Sequence, residues 1–274
     1  MRAEFLSLIN NPNSEVFTDS LDSDFIIIIG MLPSRKEGLL EKLNSKNIVY
    51  MSVIEDKAMT NVAKIQSRYE AGSEEGVLAI LAKELLADKN IDEKTKEFFE
   101  NLDEGYISAE TNVGEEELEE INELYKDSKT PLLLLGEDFY AHPRKRNIAR
   151  IVNLFVKYGN FKIYDENSSN GIVQNSIDDV LEDVEELESF DGSVVYTCTP
   201  KDRDEEELLI GSAQFMMAAK LKDGDEIFVI TQNAEHQRKF VLDSELKGTV
   251  ALLPSSDGDE SYNYKVAKII KRES

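Results

Sequence analysis

The chain has 274 residues, of which 55 are acidic and 31 basic, for a formal net charge of −24, and 41% are hydrophobic. That length and apolar content suffice for a sizeable core in one large domain or two small ones, while the charge argues against DNA, RNA or an anionic membrane surface as partner, since each needs cationic protein surface. One cysteine, Cys198, and two histidines, His142 and His236, leave no internal disulfide, no cluster held by four thiolates of this chain and no ordinary structural zinc site.

The amino-terminal stretch MRAEFLSLINNPNSEVFTD has acids where a signal peptide has its apolar core, so a cytoplasmic chain is expected. The longest aliphatic run, Ile26 to Ile29, is far too short to span a bilayer. Phe25 to Ile29 form a continuous apolar run ending at Gly30, as expected of a strand buried on both faces. PSRKEGLLEKLNSKN follows, with Leu39, Leu40 and Leu43 at helical spacing, and Ile48 to Ile54 read as a second strand. Strand, helix and strand in so short a span make a βαβ unit with a right-handed parallel pair.

Residues 61–126 read as a mostly helical insert. In SEEGVLAILAKELLAD, Val77, Leu78, Leu81 and Leu85 share one face. EEELEEINELYKD is an acidic helix with a narrow apolar face at Leu118, Ile121 and Leu124. A second βαβ unit follows: the strand of TPLLLLGEDF running into Gly136, the helix PRKRNIARIVNLFVKYG and the strand FKIYD. Residues 174–192 look like an acidic helix or linker ahead of the short strand SVVYTCT. Beyond residue 208, short strands alternate with Asp/Gly, Asn and Ser turns. The expected organisation is an α/β domain over 1–205 and a β-rich region over 206–274 packed on it, with Ile227, Val229, Phe240, Val250 and Leu252 turned inward.

No active site stands out. Gly30 and Gly136 each lie where a strand gives way to a helix, a position that binds phosphates in many α/β proteins. Neither loop has the spacing of a dinucleotide fingerprint or a P-loop, so each glycine reads first as a turn residue. His142 reads as a helix-start capping residue, with Asp138 and Tyr140 beside it for proton transfer as the alternative. Cys198 reads as a packed thiol in an apolar strand. The densest knot of positive charge is Arg144, Lys145, Arg146 and Arg150, at the start of the helix after Gly136. These four are the candidate partner-binding residues. They either offset the protein's own acids, such as Glu137, Asp138 or the 115–120 run, or face an acidic partner whose docking they orient. A bound phosphate is the third possibility.

Three stretches carry a resemblance. AAKLKDGDEIFVITQNAEHQRKFVLDSELKGTVALLP resembles the carboxy-terminal barrel of the molybdopterin oxidoreductase superfamily, in which an Asp-Gly-Asp turn follows a helix and a Gly-Thr-Val strand closes the motif. The matching positions are Leu221, Asp223, Gly224, Asp225, Ile227, Val229, Gly248, Thr249 and Val250. PLLLLGEDFYAHPRKRNIARIVNLFVKYGNFKIY and RYEAGSEEGVLAILAKELL resemble segments of the large iron–sulfur subunit of bacterial respiratory complex I, especially its epsilonproteobacterial forms. The resemblance extends over roughly residues 22–272. It implies a Rossmann-like parallel sheet with flanking helices and membership of the peripheral arm of an NADH-quinone oxidoreductase, on the cytoplasmic side of the inner membrane. The family's cysteine-rich, cluster-binding part has no counterpart here, and no residue corresponds to a molybdenum ligand or a pterin-binding glycine segment. The implied role is therefore a cofactor-free scaffold in contact with other peripheral-arm subunits, or a docking surface for flavodoxin or ferredoxin. The alternative is a cofactor- or nucleotide-binding protein with a site near Gly30 and Gly136.

Overall fold

The computed structural model describes residues 1–9, 16–43, 47–167, 178, 180–187, 190–256 and 261–272. The chain divides into two compact units, Met1–Glu188 and Ser189–Ser274.

The first unit is built on a six-stranded sheet in the order β1-β6-β5-β2-β3-β4, parallel throughout. Its strands are β1 (Phe17–Thr18), β2 (Phe25–Ile29), β3 (Asn47–Ser52), β4 (Ile65–Arg68), β5 (Pro131–Leu135) and β6 (Lys162–Tyr164). The two apolar runs read from sequence are the central pair, β2 and β5, in register from Phe25↔Pro131 to Ile29↔Leu135 and buried on both faces. Successive side chains alternate between two layers. Ile26, Ile28, Ile48, Tyr50, Leu132 and Leu134 share a cluster with Leu39, Leu43 and Met59. The opposite layer holds Phe25, which packs on Tyr125 and Phe161. At the strand entrances, Ser128, Lys129 and Thr130 donate hydrogen bonds to the Asp24 carboxylate, tying the start of β5 to the start of β2. Partial burial works to raise that carboxyl, but these hydrogen bonds outweigh it and bring it down to about 2.

The helices are α1 (Arg2–Ser7), the single turn α2 (Leu39–Lys42), α3 (Glu74–Leu86), α4 (Glu93–Asn101), α5 (Glu104–Thr111), α6 (Glu115–Lys126) and α7 (Lys145–Gly159). The helix expected after β2 is broken: Pro33–Arg35 form a 3-10 turn, and Gly38, at φ +66°, separates it from α2. The expected helical insert over 61–126 begins instead with an edge strand, β4, whose only aliphatic residue is Ile65. α3 packs against α5, α6 and α7, and α1 packs against α7. Ion pairing of Arg2 with Asp165 holds α1 at the end of β6. Of the segment 174–192, the described residues 178, 180–187 and 190–192 carry neither helix nor strand, and 174–177, 179 and 188–189 lie outside the described residues. Among the described residues, no helix is long and apolar enough to cross a membrane.

The second unit contains β7 (Ser193–Cys198), β8 (Leu208–Gly211), α8 (Ala213–Ala218), β9 (Glu226–Ile230), β10 (Glu235–Leu242), β11 (Val250–Pro254) and β12 (Tyr264–Lys271). Its six strands close into a barrel, β10-β8-β11-β7-β12-β9, with β7∥β11 and β8∥β10 as the parallel pairs. Exchanging β7 with β10, β8 with β11 and β9 with β12 reproduces every pairing, parallel or antiparallel, so the barrel has a twofold internal symmetry of topology. Closure removes the free edges that an open sheet leaves. Val195, Leu209, Phe215, Leu221, Ile227, Val229, Phe240, Ala251 and Leu253 fill its centre. Along β11, Ala251 and Leu253 join this cluster; of the two residues expected to be buried there, Leu252 is buried and Val250 only half-buried. The Asp-Gly-Asp turn leads from α8 into β9 and bonds backbone on both sides: the Leu242 amide donates to Asp223 and the Lys222 amide to Asp225.

The expected boundary after residue 205 is corrected, because β7 pairs with β11 and β12 inside the barrel. A fragment ending at residue 205 would carry β7 without either neighbour and expose Val194, Val195 and Tyr196, all buried in the whole chain. It should scatter light and aggregate more than a fragment ending at residue 188. Equal aggregation of the two would show that β7 does not depend on the barrel.

Candidate functional site

Two places in the first unit answer the sequence expectations: the strand ends at Gly30 and Gly136, and the amino-terminal turn of α7.

Strand order reverses between β2 and β5, and the crevice beyond the carboxyl ends of such a pair is the usual ligand position in open α/β sheets. Here it is filled from within. A Cβ on Gly136 would lie 1.8 Å from the Gly30 carbonyl oxygen, and one on Gly30 would lie 2.6 Å from the Phe139 ring. The amides that would meet a phosphate have backbone acceptors: Gly30 donates to Met51, Gly136 to Ile29 and Asp138 to Gly30. Phe139 and Asp138 are fully buried, and Phe139 stacks on Phe5 of α1. The Ser34 amide in the loop after β2 and the Ala58 amide in the turn after β3 both donate to the Asp56 carboxylate. Burial pushes the nearby Tyr69 phenol up, and Asp138 and Glu74 add to the effect. A separate cavity of about 300 Å³ lies at the ends of β3 and β4, lined by Tyr50, Ser52, Thr60, Gln66 and Arg68 among others. Neither glycine borders it.

At α7, cations at a helix amino terminus oppose the helix dipole by a few tenths of a kcal/mol each. What offsets them is not Glu137, Asp138 or the 115–120 run. Arg144 Nε donates to both oxygens of Glu75, at 3.2 and 3.1 Å, and Glu75 is 2% exposed in the first turn of α3. Asn147 Nδ2 donates to the same carboxylate at 2.6 Å. The remaining donors turn to the segment 178–187, which crosses α7 as an irregular strap. Arg144 reaches Glu182, Glu185 and the Asp183 carbonyl, and Arg150 reaches Asp178, the Asp178 carbonyl and Glu182. Asn147 clamps the strap backbone with two bonds: the Glu182 amide donates to its Oδ1, and its Nδ2 donates to the Glu182 carbonyl, each at 2.9 Å. Tyr106 Oη accepts from the Leu187 amide, and Leu187 packs against Gly76 and Ile107. Lys145 pairs with Glu4 of α1, while Arg146 is exposed.

The four candidate partner-binding residues therefore divide. Arg144, Lys145 and Arg150 are engaged within the chain, and Arg146 is the one that presents itself outward. Glu75, Asn147, Tyr106 and the strap complete the arrangement, and sequence reading missed them. Glu75, Tyr106 and the strap lie 28 to 72 residues from the arginines and Asn147 and left no local signal. His142 has the capping role expected of it, its Nδ1 accepting from the Arg144 amide. Its Nε2 faces Glu74 at 3.4 Å, an acid that the alternative reading, with Asp138 and Tyr140, did not include. Cys198 is a buried thiol on β7 and is not in a disulfide.

Compared with known proteins, the chain matches no family model and no curated sequence.

Arg150→Ala should lower stability by about 1–2 kcal/mol, since the acids it leaves behind are half-exposed and regain water. Arg146→Ala should leave the melting temperature unchanged, and an equal drop for both variants would contradict the division. The strap also carries a pH dependence. The hydrogen bond from Arg150, against some desolvation, holds the Glu182 carboxyl below its ordinary 4.5. Its contribution is therefore present above 4.5 and lost as pH falls through the lowered value. Hydrogen exchange of the Glu182 amide should accelerate on acidification across that window beyond the intrinsic rate change.

Proposed function

We propose that the chain is a cofactor-free, non-catalytic scaffold subunit of the peripheral arm of a complex I-like NADH-quinone oxidoreductase. In that role it contacts other peripheral-arm subunits on the cytoplasmic side of the inner membrane and offers a docking surface to an electron donor such as flavodoxin or ferredoxin. The observation that carries the reading is the filled crevice at Gly30 and Gly136. A sheet with the strand reversal of a nucleotide binder has its switch point packed with Phe139 and its amides bonded to its own backbone. Such a fold works through its surface. The barrel supports the molybdopterin oxidoreductase-like part of the reading: the Asp-Gly-Asp turn lies between α8 and β9, and Gly248-Thr249-Val250 leads into β11, the order the resemblance implies. The alternative, a nucleotide or pterin beside Gly30 and Gly136, would have to displace Phe139 and break three backbone hydrogen bonds.

Affinity purification of the tagged chain from its native cells tests this. The expected result is co-purification, in fixed ratio, with cluster-bearing and quinone-reducing subunits. A nucleotide or pterin released in stoichiometric amount on denaturation would overturn the scaffold reading, and so would a preparation free of respiratory subunits.

A further inference from the structure

The strap 178–187 is held the way one protein holds a peptide from another. Six of its ten residues are acidic and none is basic. Its apolar spacing, with Val180, Leu181, Val184 and Leu187, is that of an amphipathic helix, yet it is not helical in the structure. The groove takes up the backbone groups a helix would use internally. Asn147 binds the Glu182 amide and carbonyl, Arg144 the Asp183 carbonyl, Arg150 the Asp178 carbonyl and Tyr106 the Leu187 amide. The two arginines then read carboxylates at 178, 182 and 185. Backbone clamping with side-chain readout at spaced positions is how extended peptides are recognised between proteins.

The hold is weak by design of its parts. The acid side chains are 48 to 69% exposed against 20 and 8% for Arg144 and Arg150, so each pair is open to solvent and salt on its carboxylate side. Leu187 is the one apolar residue of the strap that is buried, and Val180 is 59% exposed. The groove itself is rigid: Arg144 and Asn147 are locked by Glu75, which is itself buried between α3 and α7. A fixed, charged groove filled by a weakly held acidic segment of a strongly acidic chain is a receptor with a tethered occupant.

We propose that residues 178–187 are an internal pseudo-ligand, and that the groove formed by Arg144, Asn147, Arg150 and Tyr106 is a recognition site for an extended acidic segment of a partner protein, which competes with the strap. The strap's contacts alone carry this, independently of the respiratory assembly proposed above. The partner segment needs carboxylates spaced like 178, 182 and 185, a free backbone amide and carbonyl at the middle one, and an aliphatic residue five positions after it to enter the Gly76 pocket. Charge complementarity supplies the selection, since elsewhere this surface repels acidic chains.

The test uses the full chain and a fluorescent synthetic peptide spanning residues 176–190. In a variant with Asp178→Asn, Glu182→Gln and Glu185→Gln the strap loses its arginine partners. The peptide should bind this variant at least about 10-fold more tightly than the unaltered chain at low salt. Adding Arg144→Ala should abolish the gain. A folded strap variant that does not bind the peptide, or binding unaffected by Arg144→Ala, would overturn the proposal. Hydrogen exchange on the unaltered chain gives a second measurement that needs no variant. Protection of the Glu182 and Leu187 amides should fall as salt rises while that of the α7 amides stays. Unchanged protection up to roughly 1 M salt, where the screening length is about 3 Å, would make the strap a permanent part of the fold and sink the idea.

Discussion

The carboxylate of Glu75 is the constraint on which the first unit's surface depends. It is buried at the start of α3, where the helix dipole favours an anion, and it sits against the start of α7, whose dipole favours it again. A charge taken out of water is tolerated only with several strong partners, and Arg144 and Asn147 supply them. Those bonds leave both side chains with spare donors and acceptors pointing to one side: the Arg144 guanidinium has its Nη atoms free of Glu75, and Asn147 keeps its amide oxygen. The strap takes up what remains. Placing cations at a helix amino terminus looks costly in sequence, but the local field there is set by Glu75 and the strap, not by the helix alone.

How much of this was legible in the sequence follows from the range of each interaction. β2 and β5 announce themselves because strands buried on both faces must be continuously apolar, and FIIII and PLLLL are. α7 declares itself through the helical spacing of its apolar residues, and α3 through an apolar run that is buried on nearly every side. β4 does not, because this edge strand has a single aliphatic residue, the half-buried Ile65, and its one buried side chain is the polar Ser67. The boundary near residue 205 was misplaced for a topological reason. β7 is followed in sequence by β8 but pairs with β11 and β12, which no local pattern encodes. The same holds for the barrel's internal symmetry, which lies in the pairing order rather than in any repeated motif.

The basic knot illustrates the limit for sites. The sequence located Arg144, Lys145, Arg146 and Arg150 and posed the right alternatives, but the acids that meet three of them are remote in sequence. The strap's acids read as an acidic helix or linker, since a run of like charges carries no sign of a partner within the chain. The Asn147 clamp, two bonds to the backbone of one residue, adds to the charge pairing a contact that no pattern of acids in the sequence announces. An asparagine inside a helix is mildly unfavourable there because its side chain competes for backbone groups. Here it has backbone groups of the strap to bond, and that is the physical content of its position.

Glycines at strand ends deserve a narrower reading than the sequence alone invites. A phosphate loop needs glycine so that backbone can approach a ligand. At Gly136 the approach is to another strand's carbonyl, close enough that any Cβ would overlap it. Packing therefore demands glycine there, with or without a ligand, and what separates the two cases is the fate of the amides. In this chain Gly30, Gly136 and Asp138 all give theirs to backbone carbonyls, and a phenylalanine occupies the space. The switch point of the sheet is packed as core.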